Sequence, residues 1–439
     1  MPKKVSISVI GLGKLGLCTA ACFASKGFSV IGVDVDIDKI DSVNKGISPV
    51  QETGLAELLM RAKGKIKATA DYNYAIANSD VSFIVVATPS LADGSFSNEY
   101  LEKALHKIAE SLRTKKSYHL VVITSTVMPQ TTDKVGKFIL EKVSGKKCGK
   151  DFGLAYNPEF IALGSVLHDF LNPDLVLIGE ANIKDGNILE GIYKNTCENK
   201  PYFARMSPVN AEITKISLNC YVTTKITFAN SLSAICEKIP EADARVVANA
   251  LGMDSRIGRK YINPGLGYGG PCFPRDNKAF AACAHLVEVQ AKLAEMVDQV
   301  NNEQVMQLVG KIKSLVSRLK DPVIAFLGLS YKPNTPIIED SQALSIAKIL
   351  VHEGYSLKVY DPQAQDNAKG VLGDFVKYSK NTKDCIKNAD LIILAVPWRE
   401  FNNFNPGDTK KNSLILDCWG LLDMKKFKNI KLLGKGEEE

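Results

Sequence analysis

The chain has 439 residues, 45% of them hydrophobic and 23% charged, which supports a large packed core and two or three domains of roughly 100–200 residues each. Nowhere do about 18 uninterrupted apolar residues occur, and the first short apolar run turns glycine-rich, so neither a membrane span nor a signal peptide is expected and a cytoplasmic location is. Ten cysteines without CxxC spacing and five histidines give no zinc cluster or disulfide framework, and a formal charge of +7 without a basic block argues against a nucleic-acid partner.

In chain order, the run VSISVIGLG leads into Gly11, Gly13 and Gly16 spaced as G-x-G-x-x-G, with Leu12 and Leu15 between them, and the next run, FSVIGVD, ends at Asp34. After a strand and before a helix, such glycines bring backbone N–H groups and a helix N-terminus against a pyrophosphate. The acid then accepts hydrogen bonds from a ribose diol and repels a 2′-phosphate, so NAD is expected rather than NADP. The runs DVSFIVVATP and HLVVITST put Thr88-Pro89 and Ser125-Thr126 at the carboxyl ends of strands, where ligands lie in such sheets; turn chemistry accounts for either pair equally well.

From about Pro208 to Arg318 strand signals vanish, and Ile213, Ile216, Leu218, Val222, Ile226, Leu232 and Ile235 recur near helical spacing. A long helix with companions is expected there, joining the two ends and available for dimer contacts. Inside this region NPGLGYGGPCFPRD, residues 263–276, is a loop shaped by chain breakers around Cys272. Beyond it, PVIAFLGLS, YSLKVYD, ADLIILAVP and NSLILDC repeat the opening runs in the same order. The fold expected is therefore α/β: a Rossmann-like doubly wound parallel-sheet domain over 1–205, a helical domain over 206–318 and a second Rossmann-like domain over 319–439. In the second copy LGLSYKPN stands where the first has its phosphate loop and lacks those glycines, leaving Lys332 to meet the phosphates of a different nucleotide. The closing GKGEEE reads as a frayed tail.

The ordered motifs GLGKLG with Asp34, PVQETGLAELL, ATPSLADGS, STVMPQTT, YNPEFIALGS, LNPDLVLIG, KISLN, RIGRKYINPGLGYGGPCFPRD, LGLSYKPNT and VYDPQA resemble the UDP-glucose/GDP-mannose dehydrogenase family along nearly the whole chain. The resemblance implies two NAD-dependent oxidations that turn the C6 alcohol of a nucleotide sugar into a carboxylate, in a homodimer. It makes Cys272 the nucleophile that holds the aldehyde as a thiohemiacetal and then a thioester. Lys215 and Asn219, four apart on one helix face, become the pair at the C6 oxygen. Asp276 resembles the base or water-orienting acid, Glu159 the acid-base group of thioester hydrolysis, and Thr126 a residue positioning water or cofactor. Phe160, Tyr261, Tyr268, Gly269 and Phe273 line the sugar, and Arg256 reaches the neighbouring subunit's site.

Three positions depart from the family pattern: Leu163 stands for a carboxylate, Glu339 for an arginine touching the cofactor, and Asp417-Cys418-Trp419 for a D-x-R triplet. With Glu339 in that place, Lys39 or Arg275 is expected to cover the cofactor phosphate. The sugar stays open among UDP-glucose, two UDP-N-acetylhexosamines and GDP-mannose, with UDP-glucose the first expectation. A two-electron hydroxyacid dehydrogenase also combines a Rossmann domain with a helix-borne Lys-x-x-x-Asn, but needs neither Cys272 nor the repeated domain. A non-catalytic NAD-binding scaffold has only the three departures in its favour.

Overall fold

The computed structural model describes residues 5–427 and 429–437; Met1–Lys4 and the last two residues of GKGEEE lie outside the described residues. Chain contacts divide it into two units that meet in sequence between Ser217 and Leu218.

The first unit holds strands β1 (Ser6–Ile10), β2 (Ser29–Val33), β3 (Ile66–Thr69), β4 (Val81–Ile84), β5 (Leu120–Ile123), β6 (Gly153–Tyr156), β7 (Leu175–Glu180) and β8 (Tyr202–Met206). They form one sheet in the order β3-β2-β1-β4-β5-β6-β7-β8. The expectation of a wholly parallel sheet needs one correction. β7 runs antiparallel to β6, and β8 pairs parallel with β7, so the last two strands run against the rest. Strands β4 and β5 are buried along their whole length because helices cover both faces. Phe23, Phe83, Phe170 and Tyr193 fill one side of the sheet, and Ile10, Ile84, Leu105 and Tyr156 the other.

The second unit holds β9 (Val323–Leu327), β10 (Ser356–Tyr360), β11 (Lys377–Tyr378), β12 (Leu391–Leu394), β13 (Leu414–Asp417) and β14 (Ile430–Leu432), all parallel, in the order β11-β10-β9-β12-β13-β14. The two sheets therefore share one spatial order over their first five strands: β3-β2-β1-β4-β5 matches β11-β10-β9-β12-β13. That shared order is the structural form of the repeat read from the sequence.

Between the sheets in sequence come the helices Pro208–Cys236, Ala244–Met253, Phe273–Leu286 and Lys292–Val316, with no strand among the described residues there. The apolar residues of the first do not all face a core: Ile216 and Val222 are buried, whereas Ile213, Leu218 and Ile235 are exposed. The tail is a further correction. The Gly436 N–H donates to the Ala242 carbonyl at 2.8 Å and the Ala244 N–H to the Gly434 carbonyl at 2.8 Å, so residues 434–436 are docked by backbone bonds rather than frayed.

Candidate active site

In the first unit, β1 ends at Ile10 and a helix begins at Lys14, so only Gly11, Leu12 and Gly13 separate strand from helix. Gly11 takes φ +96°, and a Cβ on it would strike the Val85 carbonyl, which excludes any other residue there. Gly13 caps the helix without a side-chain hydrogen bond, and a Cβ on it would meet nothing within 4 Å. The cap thus gives the first helical N–H groups no side-chain partner and leaves room beside Gly13, features that suit a pyrophosphate. Asp34 follows β2 directly; its carboxylate accepts the Leu12 N–H at 2.7 Å and the Asp36 N–H at 3.0 Å, which fixes it beside the loop. Leu12 is buried and Leu15 partly buried against the hydrophobic cluster beneath. The residues present fit a dinucleotide carrying an unphosphorylated ribose.

At the carboxyl ends of β4 and β5 the predicted hydroxyls are engaged within the protein. Ser125 accepts the Val86 N–H at 2.9 Å and donates to the Val86 carbonyl at 2.7 Å, and Thr88 donates to the Thr126 carbonyl at 2.7 Å. These bonds hold the two strand ends together, Pro89 following in the same turn. After β6, Glu159 is pushed up to about 7, chiefly by burial, against the opposing effects of the Tyr193 hydroxyl and the Lys215 charge. Tyr193 donates to Asn157 at 2.6 Å and lies 3.2 Å from the Glu159 carboxyl. Lys215 donates to the Glu159 main-chain carbonyl at 2.6 Å, with its ammonium 4.6 Å from the Phe160 ring centre. Leu163, at the departure, packs with Val50 and Leu167 in an apolar cluster, consistent with a carboxylate being lost there.

In the second unit, Cys272 is exposed and caps the helix Phe273–Leu286, with Pro274 in its first turn. A helix N-terminus favours negative charge on the group it meets. One turn on, Asp276 is buried at 1% exposure, accepts the Asn219 amide at 2.6 Å, and lies 3.3 Å from Arg275. Asn219 belongs to the same helix as Lys215, one turn further along. The glycine loop before Cys272 is held on several sides. Asn230 accepts the Gly265 N–H at 3.0 Å, Gln342 the Gly267 N–H at 2.6 Å, Asn301 the Tyr268 N–H at 2.9 Å, and the Glu339 carbonyl the Gly270 N–H at 3.0 Å. Gly270 has φ +82° with the Tyr331 ring where a Cβ would go, and Gly269 abuts the Asp340 carbonyl. Phe273 stands edge-on to Tyr261 at 6.3 Å and to Tyr268 at 6.5 Å, an aromatic wall that the Tyr268 hydroxyl anchors on Asp298.

Arg256 is 86% exposed and pairs with Asp254 two residues away. Lys39 lies 3.5 Å from Asp36, and Lys332 has its ammonium 5.8 Å from the Tyr331 ring centre. Glu339 is exposed and serves the loop through its carbonyl, not its carboxylate. Trp419, the third departure, lays its ring against Gly265 and donates its indole N–H to the Ala395 carbonyl at 3.0 Å. Sequence reasoning missed Asn230, Asn301, Gln304 and Gln342, the side chains that hold the glycine loop. Their partners lie 33 to 75 residues away, so no local spacing announces them.

Three family models match in order: the NAD binding domain of the UDP-glucose/GDP-mannose dehydrogenase family over residues 5–197, its central domain over 209–303 and its UDP binding domain over 325–424. The chain is 35% identical over 418 residues to a UDP-glucose 6-dehydrogenase of Haloferax volcanii, covering 94% of this chain and 96% of that one. It is also 35% identical over 402 residues to a GDP-mannose 6-dehydrogenase of Pseudomonas putida, covering 88% and 90%. Among solved structures, a UDP-glucose dehydrogenase from Pyrobaculum islandicum superposes with a TM-score of 0.88 at 32% identity, over 100% of this chain and 98% of that one.

Proposed function

The chain belongs to the UDP-glucose/GDP-mannose dehydrogenase family, with an NAD binding domain and the family's nucleotide-sugar 6-dehydrogenase character, and on that premise we propose that it oxidises the C6 alcohol of UDP-glucose to the uronic acid. The UDP binding domain matched over 325–424 is shared by the whole family, and UDP-glucose is taken first because the Pyrobaculum islandicum structure that superposes along the chain is a UDP-glucose dehydrogenase. The observation that carries the mechanism is Cys272, exposed at a helix N-terminus and followed one turn later by the buried Asp276–Asn219 pair.

Gly11, Gly13, Gly16 and Asp34 would hold the NAD, which when bound would supply the hydride acceptor for both oxidations. In the first, Lys215 and Asn219 steady the developing charge on the C6 oxygen as its proton passes to water. The Cys272 sulfur then adds to the aldehyde carbon, forming a C–S bond and a hydroxyl, which keeps the aldehyde from escaping. After the second oxidation the carbonyl carbon remains joined to sulfur as a thioester. Water attacks that carbon, the C–S bond breaks, and carboxylate and thiol are released. Glu159, held near pH 7, suits the proton transfer that activates this water, and Asp276 its orientation. Thr126 and Arg275 are assigned to the cofactor edge, Lys39 to the phosphate charge, and Lys332 to the nucleotide of the substrate.

A homodimer fits an exposed apolar stripe on the long central helix. Leu218, Tyr221, Phe228 and Ile235 lie on the surface, and with Lys225 and Leu232 they repeat every three and four residues, the spacing of a helix that packs on a second helix. Arg256, extended and paired only locally in the bonds described, is assigned to the partner's sugar site. The chain would work in the cytoplasm.

The test is a panel of nucleotide sugars scored by NADH yield. Two NADH per UDP-glucose, with no free aldehyde, are expected. Cys272→Ala should keep NAD and sugar binding yet form no acid, and Cys272→Ser should accumulate an ester visible in the intact protein's mass. One NADH per sugar, or undiminished acid from Cys272→Ala, would return the argument to a two-electron dehydrogenase.

A further inference from the structure

At the amino ends of β5 and β6 a cleft of about 630 Å³ is lined by Arg113, Lys115, Lys116, Lys146 and Lys150, with Asp151 as its one carboxylate. The dinucleotide loop and the Thr88 and Ser125 turns stand at the carboxyl ends of their strands, so within this unit the cleft is on the opposite edge of the sheet. Three of its cations are placed by main-chain carbonyls. Lys115 donates to the carbonyls of Ile76 at 2.6 Å and Ser79 at 2.7 Å, Lys146 donates to the Lys115 carbonyl, and Arg113 places its Nε on the Val143 carbonyl at 2.7 Å. Those acceptors are neutral, so they orient the cations without cancelling charge. The Lys115 ammonium is buried on its carbonyls, which leaves Arg113, Lys116, Lys146 and Lys150 with one carboxylate in a single depression, an arrangement that an entering anion relieves.

The acidic groups nearby do not relieve it. The Asp151 carboxylate accepts the Lys147 N–H at 2.9 Å, and Glu141 pairs with Lys147, which does not line the cleft. The Tyr118 hydroxyl is committed to Asp185 at 2.6 Å, which leaves the cations as the donors available to a ligand.

We propose that this cleft binds a small oligophosphate anion, with Arg113 gripping one phosphate group and Lys116 and Lys150 another. A single phosphate would leave most of the positive charge unanswered, whereas two or three linked phosphates bring enough negative charge to answer it. The anion comes either from a free oligophosphate or from the triphosphate of a nucleotide, which present the same chemistry to the cations.

The test uses the full chain saturated with NAD and UDP, so that the family's own nucleotide sites are filled, and titrates inorganic tripolyphosphate and ATP separately by calorimetry in low salt. One saturable site per chain is expected, with a Kd below about 1 mM that weakens as KCl is added. Lys116→Glu with Lys150→Glu should weaken it at least tenfold while leaving thermal melting and basal dehydrogenation unchanged. Equal affinity for the two probes assigns the site to the oligophosphate alone, and tighter ATP assigns it to a nucleotide. Absence of saturable binding for both probes, or binding unchanged in the double variant, would overturn the proposal.

Discussion

The two sheets begin alike and diverge within three residues. Gly11 and Gly328 both follow the first strand of their sheet at φ +96° and +99°, and each donates its N–H to the last carbonyl of the neighbouring strand, Val33 or Tyr360. The second copy thus keeps the first glycine of the loop, which the sequence comparison had counted as lost. The next position separates them. Gly13 leaves open space, whereas Ser330 fills the equivalent place and donates its N–H and hydroxyl to Asp361, both at 3.0 Å. The first helix starts at Lys14, but its counterpart waits until Gln342, and the intervening segment supplies Tyr331, Glu339 and Asp340 to the glycine loop. One copy offers its helix N-terminus to a phosphate; the other withdraws it and spends the extra chain on holding the Cys272 loop.

The acids that end the second strand of each sheet give the sharpest contrast. Asp361 is buried and accepts from Leu329, Ser330, Gln363, Ala364 and the Trp398 indole, whereas Asp34 accepts two N–H groups and stays partly exposed. Asp361→Ala strands several buried donors and is expected to destabilise by roughly 3–5 kcal/mol in denaturant titrations. Asp34→Ala should cost under about 1 kcal/mol but raise the NAD KM and let NADP compete. Equal stability losses would erase the distinction.

The glycines come next in size. Gly11→Ala and Gly328→Ala are each expected to cost about 2–4 kcal/mol, since both combine positive φ with a neighbour where the methyl must go. Gly13→Ala should leave the melting temperature nearly unchanged and raise the NAD KM about tenfold or more, because its methyl intrudes only on a ligand.

The smallest effects, read per pH unit, are titrations confined to the first unit. Glu159 is raised from 4.5 to about 7, so the unfolded chain releases its proton first and stability falls as pH rises between those values. His119, buried between Ser82 and the Ser79 carbonyl, is lowered from 6.5 to about 3 by burial, so its contribution is lost as pH falls through that window. The two slopes oppose one another, each at most about 1.4 kcal/mol per pH unit. Glu159→Gln should therefore leave stability climbing with pH up to 6.5, and His119→Asn should leave it falling from 4.5. Curves identical to the parent's would mean that neither group titrates as its burial dictates.

The strands β1, β2, β4 and β5 and their repeats were legible because a strand buried on both faces must be an unbroken apolar run, and helices between such runs force parallel order. The loop around Cys272 was legible because its chain breakers stand out, whereas the helix that begins right after the cysteine was not read from the sequence. The short β3 and β11 were not, since IKAT and KY hold no unbroken apolar run, and neither was the reversal of β7, because direction leaves no mark on a strand's composition. Nor does sequence alone reveal that Ser125 and Thr88 are turned inward to tie strand ends, or that Trp419 lies on Gly265. Local chemistry determined which segments fold into strands and which residues are able to react. Long-range packing decided which of those residues are held, buried and titrated, because burial and hydrogen-bond partners come from chain that lies dozens of residues away.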